Sequence, residues 1–529
     1  MNRKEFLKTG TLAAATVGVA PALMSWIPQH NWRNYDFGPG PEVKDRLYQG
    51  PFPMYKPENF FDASPFQYTT RGKQVINCFG MGLQTYISGD HDAPAVPPGK
   101  TLDQVIDELV SFSPCTKLYI RPCWKTLQKR KGRLDFDDYV KITLEKAAKY
   151  GKRIGFRVNW DVPQQYPRDP NVKPDYTLFL PDYVLEKVPW TPMEGEYIGR
   201  TDWKLLDCHN PCFLEYFEEF TGLLAGQWNG SNVIEWMDTA MFGWWGEGHA
   251  FRLKKGELRH NYPSYSVAEE TWLKIWDIQE KAWTKVPLVT NVQPDCNHVG
   301  NSELVDRTIR THNWIRNDSI MVHNERIEAM TNRPPWIAAI QEEWISYRAT
   351  SVDAEGLPPN WNLFDKAKDL GVNYMNVAIH NSVDNSLENI KNWYNRFPET
   401  LDHLNEVIGF RVRPSWIWRY RADTGRDGLI FGMVNDGVAC VPGIIRLTLF
   451  NDRNPCLVTG CLDAGYPETR GVCQAAMVLP EGIAWDSGVK VKAELECKGV
   501  KYPIPFACAQ KLNPDGSLDI TAPRPGIRM

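Results

Sequence analysis

The residues best suited to chemistry in this chain are carboxylic acids at two distant points. One is Glu247, within Gly243-Trp244-Trp245-Gly246-Glu247-Gly248-His249, and the other is the adjacent pair Glu342 and Glu343. Hydrolysis of a glycosidic bond needs two such groups flanking the bond. One protonates the leaving oxygen, and the other attacks the anomeric carbon or activates water. The proton donor needs a raised pKa, which an apolar surround provides by disfavouring the ionised form. Phe242, Trp244 and Trp245 offer such a surround to Glu247, and Gly243, Gly246 and Gly248 allow close backbone approach. The competing fate for a buried glutamate is an ion pair, here with an arginine such as Arg121 or Arg157.

The elements that must position these groups alternate along the chain. Strand patterns occur at 75–79, 117–120, 153–158, 232–237, 287–292, 319–323, 336–340 and 374–379, with helical patterns between them. Thr101 with Gln104 forms a capping-box pair, Asn210-Pro211 opens a helix, and Ser266 with Glu269 opens another. Gly151 and Gly371 stop helices, residues 303–315 read as helical, and a final helix begins at Leu387. Eight strands and their helices over residues 74–407 predict a (β/α)8 barrel. A doubly wound open sheet would bring a Gly-rich dinucleotide fingerprint after the first strand, and none follows it. Strand patterns at 410–412, 428–434, 443–450, 472–478 and 489–496 predict a small β-sandwich over 408–529. Residues 23–73 read as an irregular lead segment packing over a domain.

Barrel enzymes draw catalytic groups from the C-terminal strand ends. That rule places Arg121 and Trp124 after strand two, Arg157 and Asn159 after strand three, and Trp245, Glu247 and His249 after strand four. Asn291 follows strand five, His323 strand six, Glu342 and Glu343 strand seven, and His380 strand eight. A carboxyl group after both strand four and strand seven gives the facing pair that glycoside hydrolysis requires. Alternation lets only one of Glu342 and Glu343 point inward. The remaining residues of that set are expected to bind substrate, an oligosaccharide or polysaccharide. Ten scattered His with no His-x-His pair at a strand end give no metal site, and no cofactor is expected.

Composition narrows the classes. The chain has 529 residues, 43% hydrophobic and 23% charged, which is the balance of a folded protein. A net charge of −4 without a long basic run excludes an electrostatic footprint for nucleic acid. Its 21 Trp suit either sugar stacking or the filling of a large core. Residues 1–22 carry a charged start, a short apolar run and small residues at Ala20-Pro21-Ala22, the pattern of an export signal. That predicts a periplasmic or extracellular location. No apolar stretch is long enough to span a bilayer. Twelve Cys include six between Cys440 and Cys508, where one or two disulfides are expected, and no Cys-x-x-Cys pair for structural zinc.

Several segments resemble known families. The strand-four and strand-seven carboxylates are similar to those of the clan of retaining barrel glycosidases, where the first is acid/base and the second nucleophile. More closely, the chain resembles a family of bacterial glycosidase-like barrel proteins with a C-terminal β-sandwich and a poorly defined function. The matching stretches are Tyr119-Ile120-Arg121-Pro122-Cys123-Trp124, Lys131 through Phe136, Asn210-Pro211, Asp238 through His249, and Ile408-Gly409-Phe410-Arg411. The resemblance implies Glu247 as acid/base and favours Glu342 over Glu343 as nucleophile. It departs at Gly246, where barrel glycosidases often carry an Asn that binds the sugar 2-hydroxyl; that contact then comes from elsewhere, with Asn291 and Asn159 as candidates, or the substrate presents a different group there. It departs also at Lys129-Arg130-Lys131, where relatives tend to carry Glu-Pro before the glycine. The lysine at position 4, within Arg3-Lys4-Glu5-Phe6-Leu7-Lys8, likewise replaces the second arginine of a twin-arginine export signal.

Overall fold

A computed structural model describes residues 64–87, 93–160, 179–192, 204–243, 246–247, 264–292, 301–317, 330–341, 361–378, 387–422, 424–469, 471–485 and 487–520. Eight parallel strands close into a barrel: Gly82–Tyr86, Lys117–Ile120, Arg153–Arg157, Ile234–Asp238, Leu288–Asn291, Trp314–Asn317, Ala339–Gln341 and Tyr374–Ala378. The eighth pairs with the first, Tyr374 opposite Gly82, so the sheet has no edge.

The local signals act as their chemistry requires. Thr101 and the Gln104 side chain cap Leu102–Val110 reciprocally, and Val105, Ile106, Leu109 and Val110 turn one face inward. Asn210 accepts from the Cys212 N–H at 2.9 Å, with Pro211 opening Pro211–Trp228. Phe213, Phe217, Phe220 and Leu224 of that helix pack against the barrel wall.

Four expectations need correction. The first barrel strand is Gly82–Tyr86; residues 75–79 instead run beneath the barrel, with Ile76, Cys78 and Phe79 buried in its floor. A short, mostly apolar run suits a buried connection as well as a strand. The sixth strand is Trp314–Asn317, because Asn301–Arg310 ends early, where His312 takes a left-handed φ of 57° and Asn313 N–H donates to Thr308 O. Trp314 and Ile315 continue the helical spacing and hide that stop. Residues 319–323 lie outside the described residues. Tyr265–Ala282 is capped by Ser264 rather than Ser266, and a further helix, Pro398–Val407, follows Leu387–Arg396.

Strand register sorts the inward side chains into layers drawn alternately from odd and even strands. Lys117, Trp236, Trp314 and Tyr374 form a lower layer, with Glu235 beside them at the bulge opposite Ile154 and Gly155. Gly155 makes room there, since a Cβ would stand 2.2 Å from the Trp236 ring. Gln84, Val289 and Ile340 come next. Above them lie Tyr119, Asp238, Arg316 and Asn376, and then Tyr86, Arg157 and Asn291. Such layers are usually filled by bulky branched residues. Here ion pairs occupy both the lowest layer and the layers toward the C-terminal end.

Two antiparallel sheets form the sandwich. One contains Ser64–Tyr68, Val412–Arg421, Asp427–Asn435 and Val472–Val478; the other contains Asn454–Leu462, Ile444–Asn451, Lys490–Cys497, Val500–Ile504 and the short Leu518–Asp519. The strand Ser64–Tyr68 falls in the segment expected to be irregular. It pairs with Val412–Arg421. Cys440, Cys456, Cys461, Cys473, Cys497 and Cys508 are free thiols, so the bridges expected among them do not form. Cys497 and Cys508 are buried and act as small apolar side chains. The sandwich seals the barrel floor: Phe79 stacks on Tyr502 at 3.7 Å and meets Trp314 at 5.5 Å. Among the described residues no helix is long and apolar enough to cross a membrane. Residues 1–22 lie outside them.

Candidate active site at the barrel mouth

The site is assembled by the turn that follows strand four. That strand ends at Asp238, and Thr239 N–H donates to Val289 O at 3.0 Å. Gln279 then grips Ala240, accepting from its N–H and donating to its carbonyl, both at 2.9 Å. Met241 N–H donates to Gly246 O, and Gly246 N–H donates back to Gly243 O. Gly243 and Gly246 hold φ of 89° and 70°, a left-handed conformation that glycine adopts without strain. The turn brings Glu247 back over the strand it left.

Asp238 and Glu247 meet on the same two guanidiniums. Arg157 Nη1 donates to Asp238 Oδ2 at 3.0 Å and to Glu247 Oε1 at 2.6 Å. Arg316 Nε donates to Asp238 Oδ1 at 2.9 Å, and its Nη2 to Glu247 Oε1 at 3.0 Å. The Tyr119 hydroxyl donates to Asp238 Oδ2 at 2.7 Å. Arg121 Nη1 stands 3.8 Å from Glu247 Oε1, with its guanidinium over the Tyr86 ring. Arg157, Arg316 and Asp238 are fully buried, and Glu247 keeps 4% exposure.

Ionised groups this deep persist only when paired. Burial opposes the charge on Arg157, but Tyr119, Asp238 and Glu247 outweigh it and raise its pKa above the ordinary arginine value, against the push of Arg316. The same attraction favours the carboxylate form of Glu247. The apolar surround expected for an acid is not what its described neighbours supply. Phe242 turns away, edge-on to Trp272 at 4.6 Å in the hydrophobic core.

The other expected residues divide clearly. Arg121, Arg157 and Asn159 converge at the mouth with Glu247. Asn159 is fully buried, and its Oδ1 lies 3.5 Å from where a Cβ on Gly246 would stand. Asn291 ends strand five on the inward face and is 6% exposed. Trp124 does not reach the mouth; it is fully buried in the wall, stacked on Phe220 at 4.6 Å. Trp245, His249, His323, Glu342, Glu343 and His380 lie outside the described residues.

Three site members escaped sequence reading: Tyr119, Asp238 and Arg316. Asp238 precedes the motif and reads as structural, while Arg316 was hidden by the misplaced sixth strand. The trace of Arg316 in the sequence is the polar break Thr311-His312-Asn313, which resets the count for Trp314-Ile315-Arg316. Among the described residues no group of three His, Cys, Asp or Glu is placed to hold a metal ion.

No protein-family model matches the chain. No curated protein matches it either. Among solved structures, endo-glycoceramidase II from Rhodococcus sp. is similar at 11% identity and a TM-score of 0.38, covering 79% of this chain and 100% of that one. A β-galactosidase from Rahnella sp. R3 is similar at 11% identity and a TM-score of 0.39, covering 66% of this chain and 59% of its own. Morphinone reductase is similar at 11% identity and a TM-score of 0.33, covering 58% and 86%. Two of these three are glycosidases and one is a reductase, at scores too low to carry an argument about chemistry.

Proposed function

We propose that this chain is a retaining glycoside hydrolase, with Glu247 as the ionised carboxylate and Glu342 as its proton-donating partner. The observation that carries the reading is Glu247 itself. A purpose-built turn returns it over the barrel mouth, where Arg157 and Arg316 both donate to one of its oxygens. A carboxylate held by charged donors suits the nucleophile. Its oxygen attacks the anomeric carbon as the glycosidic bond breaks, and the leaving oxygen takes the partner's proton. Water then releases the sugar, giving its proton back to that partner. This exchanges the two roles implied by the family resemblance, because the described neighbours around the Glu247 carboxylate are guanidiniums.

Ala338 and Ile340 face the barrel interior and Ala339 the outer core, an alternation that favours Glu342 over Glu343 as the inward carboxyl. Asn159, beside the Gly246-Glu247 turn, is assigned the sugar 2-hydroxyl in place of the Asn missing at position 246. The substrate is an oligosaccharide or polysaccharide. Residues 1–22 are assigned to export, so N-terminal sequencing of protein from the native host should start beyond Ala22.

The mechanism is tested by turnover of a glycan found by screening. Glu247→Gln and Glu342→Gln should each lower it by about 10²–10⁴-fold, and intact turnover in both variants rules it out. A sugar complex should show the two carboxyl groups about 5–5.5 Å apart, whereas about 6.5–9.5 Å would mean inversion. A second reading is a carbohydrate-binding barrel without catalysis, favoured by the double arginine clasp, which also suits a purely structural glutamate. Tight glycan binding without product after long incubation would select it.

A further inference from the structure

At the opposite end of the barrel from Glu247, a cavity of about 500 Å³ lies in the seam between the floor loops and the sandwich. Thr284, His312 and Trp336 come from the loops that enter barrel strands five, six and seven, and Lys498 comes from the sandwich. Thr284 and His312 are exposed at its rim, so the cavity opens to solvent. Its volume suits a molecule of one or two rings.

Two of the lining residues break a local rule. His312 and Lys498 hold φ of 57° and 47°, and among the described residues they are the only non-glycines in the left-handed region. His312 stands past the end of Asn301–Arg310, where glycine or asparagine is the usual helix stop. Lys498 and Gly499 form the two-residue turn between the paired Cys497 and Val500, and Asn-Gly is the favoured pair for such a turn. Asparagine would relieve both positions. Instead each carries a basic side chain, and the two reach one cavity from different domains. Backbone strain of this kind persists where the surrounding structure and the use of the side chain maintain it.

The Lys498 ammonium lacks a counter-charge. Its Nζ donates to Asn313 Oδ1 at 2.8 Å, which leaves two of its three protons unused. Burial lowers its pKa against the opposing charge of Glu280, yet among the described residues no carboxylate forms an ion pair with it. Glu496, the other acid of the lining, is already paired with Arg446. A partly buried cation without an ionic partner is stabilised by an anion. Trp336 supplies a flat apolar wall 6.2 Å from the His312 ring. The matching ligand carries one carboxylate for Lys498 and His312, an apolar ring face for Trp336, and hydroxyls that donate to Glu280.

We propose that this seam is an accessory binding site for a sugar acid, with Lys498 as its carboxylate receptor. It holds an acidic glycan at the end of the barrel away from Glu247 and takes no part in bond cleavage. The site therefore stands or falls independently of the mechanism at the mouth.

The measurement is calorimetry of the full chain with glucuronate and galacturonate against glucose and galactose, which carry a hydroxymethyl group in place of the carboxylate. At least one acid should bind about tenfold or more tightly than its neutral counterpart. Lys498→Asn, which suits the turn, should fold and lose about that factor, and His312→Asn a smaller one. If Lys498→Asn fails to fold, Lys498→Gln carries the same comparison. Glu247→Gln should bind the acid as the wild type does. Equal affinity for acid and neutral sugar, or acid affinity unchanged in Lys498→Asn, would overturn the proposal. A wild type that binds neither acid also overturns it, as does binding lost in Glu247→Gln alone, which would place the acid among the mouth arginines. Failure of the mechanism reads differently: Glu247→Gln turns over normally, while the Lys498-dependent affinity remains.

Discussion

The two ends of the barrel bury the same kinds of charge and use them differently. At the floor, Lys117 Nζ donates to Glu235 Oε2 at 2.7 Å, while the Tyr374 hydroxyl and Gly80 N–H satisfy Oε1 at 2.5 and 2.9 Å. One cation meets one carboxylate, both carboxylate oxygens are satisfied, and the sandwich closes the end through Phe79 and Tyr502. At the mouth, three guanidiniums, of Arg121, Arg157 and Arg316, gather around Asp238 and Glu247, and Glu247 arrives on a glycine turn instead of a strand. Beside it stands the Asn159 side-chain amide, which has no partner in the protein. Burial and ion pairing alone therefore do not mark a site. Position at the C-terminal end of the strands does.

The largest effect is expected at the floor. Glu235→Leu leaves Lys117 buried and uncompensated and should cost about 3–5 kcal/mol of stability. Denaturant titration measures it, and sugar affinity of the folded variant should stay at the wild-type value. Tyr502→Ala removes the ring stacked on Phe79 and should cost about 3 kcal/mol, read in the same titration. A comparable loss of turnover in either folded variant would erase the distinction between the ends.

A smaller effect is expected where the two regimes meet. Gly155→Ala drives a methyl into the Trp236 ring, and overpacking of this kind costs about 1–3 kcal/mol. Since Trp236 is two residues before Asp238, a structure of this variant should show whether the ionic cluster shifts with it. The smallest effect is in pH. Burial pushes the Cys78 thiol, at the floor, from 9.0 up to about 12, with Lys117 opposing and Glu235 adding to the rise. The unfolded chain sheds that proton first, so the stability owed to the neutral thiol is complete below pH 9.0 and fades as pH climbs toward about 12. Cys78→Ala should flatten part of that alkaline slope. Only part is expected, because burial raises the Cys497 thiol to about 12 as well.

Much of the barrel was legible because its signals are local. The capping pair at Thr101, Asn210-Pro211 and the strand Lys117–Ile120 depend on residues a few positions apart. Its failures came where one pattern serves two purposes. The run from Val75 to Phe79 is apolar enough for a strand but lies beneath the barrel, and Trp314-Ile315 extends a helical rhythm past the helix end. The motif around Glu247 marked the mouth, and Arg121, Arg157 and Asn159 do gather there. What sequence could not supply was the character of the surround. Phe242 is near Glu247 in the chain whereas Arg157 and Arg316 are distant in sequence, and the turn through Gly243 and Gly246 decides that the arginines face the carboxylate.

Catalysis at the mouth rests on the proposal that Glu247 works as an ionised carboxylate. It is tested most directly by trapping with a panel of activated 2-fluoro glycosides, followed by mass spectrometry of the digested protein. The label is expected on the peptide that carries Glu247. A label on the peptide of Glu342 and Glu343 would return Glu247 to the acid role, and no label with any sugar that binds would contradict catalysis at this site.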